Sequence, residues 1–331
     1  MRRGSIVRIT IYGVLAGILA SLVAVLVPWL PTSASEEMDR IEFTFWFTTV
    51  ICIGVFAVVA AAIVYSVLKF RAQPEDDSDG PPIHGHTGLE IVWTAIPAVL
   101  VTAISIVSAV VLAKNDDTGP NPLRIAVTAQ QFAWEFEYPG DSKVTSGQLV
   151  LPVNRAVKLT LRSLDVIHSF WVPEFGQKSD AVPGIETTLV ITPTRTGEYS
   201  IVCTELCGLG HATMRAPVRV VDQAEYTEFL AGSGDAPGSD ENSGEAVFTT
   251  AGCGGCHAFE PAGTDAQVGP SLNEIDPQGR PLEDYVLESI VDPNNVIAPG
   301  YQPSVMPETY DSSLNAEQLD ALVQYLVEGQ Q

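Results

Sequence analysis

Basic side chains are scarce. The 331 residues carry 17 Lys and Arg against 40 Asp and Glu, a formal net charge of −23 at pH 7. After Arg219 the only basic residue is Arg280. A nucleic-acid-binding surface needs clustered cations to neutralise phosphates, so no nucleic acid is expected as a partner. An acidic C-terminal third instead steers a basic partner toward itself. Imidazoles and thioethers are also few: five His, at positions 84, 86, 168, 211 and 257, and four Met. The five Cys are Cys52, Cys203, Cys207, Cys253 and Cys256, and four of them form two close pairs. In an exported domain paired cysteines read first as disulfides, so the neighbours of each pair have to decide.

Mean hydropathy is positive, +0.19, despite the large negative charge. The two facts agree if an apolar part lies in a membrane and an acidic part in water. Arg2, Arg3 and Arg8 precede an apolar run over 9–30 that ends at Pro31-Thr-Ser-Ala34. A basic start, an apolar run and small residues before a polar turn describe a secretory signal peptide. The run is long enough to be an extra transmembrane helix instead. Apolar runs over 43–68 and 91–113 each exceed the roughly 20 residues needed to cross the hydrocarbon core. Lys69 and Arg71 place the connection between them inside by the positive-inside rule, so all that follows Lys114 lies outside. The connection carries His84 and His86, which read as solvated loop residues, and Cys52 reads as packing. Pro97 falls inside the third run.

Beyond residue 123 the pattern changes to short alternating runs separated by Pro- and Gly-containing turns, which predicts a β-sandwich. Within it lies Cys203-Thr-Glu-Leu-Cys207-Gly-Leu-Gly-His211-Ala-Thr-Met214. Sulfur plus imidazole selects copper or zinc over hard cations. Two cysteines four apart suit two metal ions bridged by both sulfurs, with His211 and Met214 as further ligands. A disulfide would leave those two residues without a purpose. One more imidazole is needed. His84 and His86 are on the other side of the membrane and His257 belongs to another motif, so His168 remains. No open coordination position is evident, which favours electron transfer over substrate binding.

A Gly-, Ser- and Asp-rich stretch over 231–244 reads as a flexible acidic linker. It is followed by Cys253-Gly-Gly-Cys256-His257, the attachment signature of c-type haem. Met306, the only Met in that region, is the candidate sixth ligand. Residues 222–230 predict a short amphipathic helix. Residues 315–327 predict another, capped by Asn315, with Leu319, Leu322, Val323 and Leu326 on one face.

Over about 43–221 these motifs resemble subunit II of cytochrome c oxidase. The carriers are Glu90-Ile-Val-Trp93-Thr-Ala-Ile-Pro97, then the segment from Asp165 and His168 to Pro183-Gly184, then the Cys203 to Met214 loop. Over about 244–328 the chain resembles the small helical class of cytochrome c domains, with Gly269-Pro270 matching the loop whose carbonyl orients the axial His. The resemblance implies a multidomain membrane protein: a transmembrane helical hairpin, an all-β cupredoxin-like sandwich and a small all-α class I cytochrome c domain. The boundaries are 1–35 signal peptide or extra helix, 36–114 hairpin, 115–222 copper domain, 223–243 helix and linker, and 244–331 haem domain. It assigns Cys203 and Cys207 as bridging thiolates of a binuclear copper A centre, and His168 and His211 as terminal ligands. Met214 and the carbonyl of Glu205 become weak axial ligands, and the Glu205 side chain is assigned to magnesium at the contact with subunit I. Cys253, Cys256, His257 and Met306 hold haem c.

The implied function is to receive electrons from a cytochrome c donor and pass them through haem c and copper A to the haem of subunit I, where oxygen is reduced to water. No catalytic residue lies in this chain. Other oxidase subunits are its membrane partners, in the plasma membrane of a prokaryote, with both soluble domains on the outer face. A nitric oxide reductase subunit using the same copper centre, or an exported copper carrier, is the alternative. One departure stands out. Where the family has a Trp for electron entry from a soluble donor, this chain has Phe132, with Trp134 matching the next Trp.

Overall fold

The computed structural model describes residues 3–71, 82, 85–139, 145–231, 243–308 and 310–330. His84 and most of the predicted linker lie outside these residues. The chain divides into two compact units, one of Met1–Thr32 with Asp39–Asn115, the other of Ser33–Met38 with Asp116–Gln331.

The first unit is helical. Helices α1 (Arg3–Leu26), α2 (Glu36–Phe70) and α3 (Thr87–Asn115) are each long and apolar enough to cross a bilayer. Their apolar side chains point outward, as Leu19, Val58 and Val99 do. In water such exposure would be prohibitive; in lipid it is the stable arrangement. The α2–α3 hairpin is tied at one end by Arg40, whose guanidinium donates to Asn115 Oδ1 (3.2 Å). At the other end His86 acts as a cap, its Nδ1 accepting from the Leu89 N–H (3.2 Å). α3 runs through Pro97 without interruption.

The second unit begins with a sandwich of two five-stranded sheets. One has the order β3-β2-β1-β5-β8, from Leu123–Gln130 (β1), Ala133–Glu137 (β2), Thr145–Ser146 (β3), Val157–Ser163 (β5) and Thr187–Ile191 (β8). The other has the order β4-β10-β9-β6-β7, from Leu149–Pro152 (β4), His168–Trp171 (β6), Lys178–Ala181 (β7), Gly197–Cys203 (β9) and Arg215–Val221 (β10). Strand alternation sets the faces. In β5, Val157, Leu159 and Leu161 turn inward while Arg162 is exposed. Trp134, Phe136, Phe170 and Phe175 fill the space between the sheets. Helix α4 (Gln223–Leu230) closes the base. Asp222 caps it by accepting from the N–H groups of Ala224 and Glu225, and Phe229 packs edge-on against Tyr138 (5.0 Å).

The C-terminal part is built from α5 (Gly244–Thr250), the small ribbon β11 (His257–Phe259) and β12 (Thr264–Gln267), α6 (Leu282–Val291), α7 (Tyr310–Ser313) and α8 (Ala316–Glu328). Asn315 and Gln318 form a reciprocal capping box at the start of α8. Leu322, Val323 and Leu326 are buried against Val247, Phe248, Phe259, Val286 and Ile290, with Leu319 at the margin.

Candidate functional site

Three loops at one end of the sandwich gather the soft ligands. His168 opens β6, Cys203 ends β9 and Met214 immediately precedes β10. Pairing of Phe170 with Cys203 and of Val202 with Arg215 makes these strands neighbours. The Cys203 N–H donates to the Met214 carbonyl (3.1 Å) and closes the neck of the loop. A ten-residue excursion therefore returns its last ligand to the side of its first.

Inside, the two sulfurs stand 3.9 Å apart. Both thiols are free, so the predicted alternative of a disulfide is absent. The Cys207 sulfur lies 3.5 Å from His211 Nδ1 and 3.7 Å from Met214 Sδ. His168 Nδ1 lies 3.1 Å from Met214 Sδ and 4.0 Å from the Cys203 sulfur, and the Glu205 carbonyl is 3.3 Å from that sulfur. His168, Cys203 and Cys207 form a buried group with metal-binding spacing. Metal–thiolate bonds of about 2.3 Å let both sulfurs reach a shared ion across a 3.9 Å gap. The donor set fits copper.

The electrostatics agree. Burial raises the Cys203 thiol, but hydrogen bonds from His168, the backbone around it and His211 outweigh this and bring it below the ordinary thiol value. Burial and the Cys203 charge push Cys207 upward. Opposite shifts of this kind follow because two negative charges would share one small volume. Cations between the sulfurs remove that repulsion.

Asp165 is the contributor that sequence reasoning did not assign. Its Oδ1 accepts from His168 Nε2 (2.8 Å), and its Oδ2 accepts from the Gln131 N–H (2.7 Å). With Nε2 carrying the proton, the Nδ1 lone pair faces the cluster. Burial alone would raise the Asp165 carboxyl, but the His168 bond and the N–H groups of Gln131 and Val166 hold it below the ordinary carboxylate value. The three-residue spacing from His168 was the available signal. Gln131 also donates through its side chain to the Cys207 carbonyl.

The second centre is a cavity of about 360 Å³ lined by Cys253, Cys256, His257, Pro270 and Met306, with apolar walls from Leu272, Val286 and Leu322. His257 Nδ1 donates to the Pro270 carbonyl (2.7 Å), which leaves Nε2 free to ligate. Burial draws the His257 pKa below its ordinary value although the Pro270 contact opposes this, so the ring is neutral. Gly269 passes so close that a Cβ would stand 2.5 Å from His257 Cε1. Two free thiols, one oriented imidazole and a thioether on an apolar wall fit haem c.

The two centres share a wall. The Phe132 ring lies on Gly208 and Gly210 of the Cys203–Met214 loop, and Phe132 also lines the cavity of the second centre. Gly252, in the left-handed region at φ +73°, meets Ala133 so closely that a Cβ would stand 2.7 Å from the Ala133 Cβ. A Cβ on Gly255 would be 3.5 Å from Thr213 Oγ1.

Comparison with known proteins gives three family matches: "Cytochrome C oxidase subunit II, transmembrane domain" over residues 21–111, "Cytochrome C oxidase subunit II, periplasmic domain" over 142–221, and "Cytochrome c" over 242–330. Cytochrome c oxidase subunit 2 of Alkalihalophilus pseudofirmus is 34% identical over 295 residues, 84% of this chain and 84% of that one. The chain belongs to the cytochrome c oxidase subunit II family. The Synechocystis subunit 2 is 31% identical over 255 residues, covering 63% of this chain and 76% of the relative. The solved periplasmic domain of subunit II from Bradyrhizobium japonicum is 29% identical, with TM-score 0.34, and covers 35% of this chain and 96% of that one. As a member of the family the chain is a membrane subunit of an oxidoreductase, cytochrome c oxidase, carries a subunit II periplasmic domain and a cytochrome c domain, and works beside other oxidase subunits.

Proposed function

We propose that the chain receives electrons from a basic cytochrome c donor at haem c and passes them to two copper ions held between Cys203 and Cys207. From there they go to the haem of subunit I, which reduces oxygen. The carrying observation is Phe132, whose ring is shared by the copper loop and the haem cavity. The turn carrying Gly252 and Gly255 lies against Phe132, Ala133 and Thr213, which supports electron entry through the haem rather than directly at the copper site.

Two coppers held by both thiolates would supply a one-electron relay that changes shape little. The protein's part is to hold that shape. His168 and His211 would be the terminal ligands and Met214 and the Glu205 carbonyl the weak ones, while Asp165 keeps His168 in the ligating tautomer. Cys253 and Cys256 would anchor haem c, His257 and Met306 would ligate its iron, and the Pro270 carbonyl fixes the His257 ring.

Surface character supports this choice of partners. The only cation after Arg219 is Arg280, and it already engages Glu288 and the Tyr285 ring, so the haem domain presents acid to its donor. Leu164, Val166, Ile167, Leu206 and Leu209 flank the copper ligands and are exposed. An apolar rim of this kind fits burial against a membrane partner such as subunit I. The exposed Glu205 carboxylate is available there to a magnesium ion completed by that partner. Lys69 in the last turn of α2 and Arg71 just beyond it support an outer-face position for both soluble domains, in the plasma membrane of a prokaryote.

His211→Ala tests the relay. Haem c should still be reduced by the donor, while onward transfer to the oxidase slows by orders of magnitude in rapid mixing. Onward transfer at the unsubstituted rate would remove the copper loop from the path.

A further inference from the structure

A second feature concerns the membrane unit and is independent of the electron path. The run over 9–30 has the composition of a signal peptide, and cleavage would fall after Ala34. We propose that α1 is instead kept in the mature protein as a third membrane-crossing helix seated on α2.

Two sets of contacts carry this. The first is inside the membrane unit. α1 has 24 residues, and no charged side chain occurs between Arg8 and Glu36. Gly13 and Gly17, one turn apart, face Ala61 and Ala57 of α2: a Cβ on Gly13 would stand 3.6 Å from the Ala61 Cβ, and one on Gly17 3.6 Å from the Ala57 Cβ. Small residues spaced by four on both helices let two backbones approach closely, the usual basis of helix association in lipid. A segment destined for removal needs no such complementary seat.

The second set lies at the cleavage position, within the outer unit. Ala34 and Ser35 are 1% and 0% exposed. The Ala34 N–H donates to the Glu174 carbonyl (3.0 Å) and its carbonyl accepts from the Thr194 N–H (2.9 Å). Ser35 bridges to Pro193, its hydroxyl donates to the Phe175 carbonyl (3.1 Å), and the Met38 N–H donates to that hydroxyl (3.0 Å), capping α2. A cut after Ala34 would strip away both Ala34 hydrogen bonds. It would also turn the buried Ser35 amide into an ammonium, a charge that burial penalises. Processing there damages the fold, whereas retention satisfies every group named.

The test uses the full chain purified from membranes. Its N-terminal peptide should include α1; a mature N-terminus at Ser35, or anywhere beyond Leu26, overturns the proposal. The packing is read by cross-linking in a Cys52→Ala background loaded with copper and haem. Gly17→Cys with Ala57→Cys has a Cβ separation that suits a disulfide. Cyanogen bromide cuts after Met38, between the two positions. The α1 fragment should therefore stay attached to the following fragment until reductant is added. The pair Leu15→Cys with Val58→Cys, both on exposed faces, should release it at once. Release from the Gly17–Ala57 pair, or equal linkage in both pairs, overturns the seating.

Discussion

Removing the Asp165 carboxylate should loosen copper although Asp165 touches no metal ligand atom directed at the cluster. Its Oδ1 is 2.8 Å from His168 Nε2, with His168 fully buried and the Asp165 side chain 16% exposed. A hydrogen bond to a charged group at such a site is worth about 1.5–3 kcal/mol. At about 1.4 kcal/mol per decade this is a 10- to 100-fold loss of copper affinity, the same range found when partners of metal-ligating histidines are removed elsewhere. Asp165→Ala should show the full loss. It also strips the acceptor from the Gln131 N–H (2.7 Å), so thermal stability should fall by about 1–3 kcal/mol. Asp165→Asn keeps an acceptor oxygen without the charge and should lie between. The assay is competition for copper against a chelator, followed by copper–thiolate absorption, with covalent haem content as the internal control. If Asp165→Ala holds copper as tightly as the parent while folded, the tautomer argument fails.

Met306→Ala should lower the haem c potential, because a thioether ligand stabilises the reduced iron. An unchanged redox titration would remove Met306 as the ligand. Copper loading should weaken as pH falls, because copper displaces protons from both thiols and from His168. Burial lowers the His168 pKa, but Asp165 and Cys203 outweigh it and raise it, so the proton begins to compete above the ordinary imidazole value of about 6.5. A flat affinity profile between about pH 8 and 5 would refute this.

The sequence by itself determined which donor groups are available. Ligand types and their spacing within the Cys203–Met214 loop, the Cys253-Gly-Gly-Cys256-His257 signature and the apolar runs are local properties, legible without coordinates. So was the cap Asn315, because a cap is a contact over two or three residues. Two strands take their composition from where they sit. β2 carries aromatic residues whose reason is the interior of the sandwich, and β7 is mostly polar and pairs at an edge.

Only the tertiary structure decided the rest. His168 was reached by elimination, but its distance to Met214 comes from strands brought together across 46 residues. The hold of Asp165 on His168 depends on a loop conformation that no periodicity encodes. The seat of Gly252 on Ala133 joins parts of the chain more than a hundred residues apart. The fate of α1 has the same character. Its composition admits either reading, and the choice rests on Gly13 and Gly17 meeting Ala61 and Ala57, and on the burial of Ala34. Local pattern specifies what a segment can do; long-range packing specifies which neighbour it does it with.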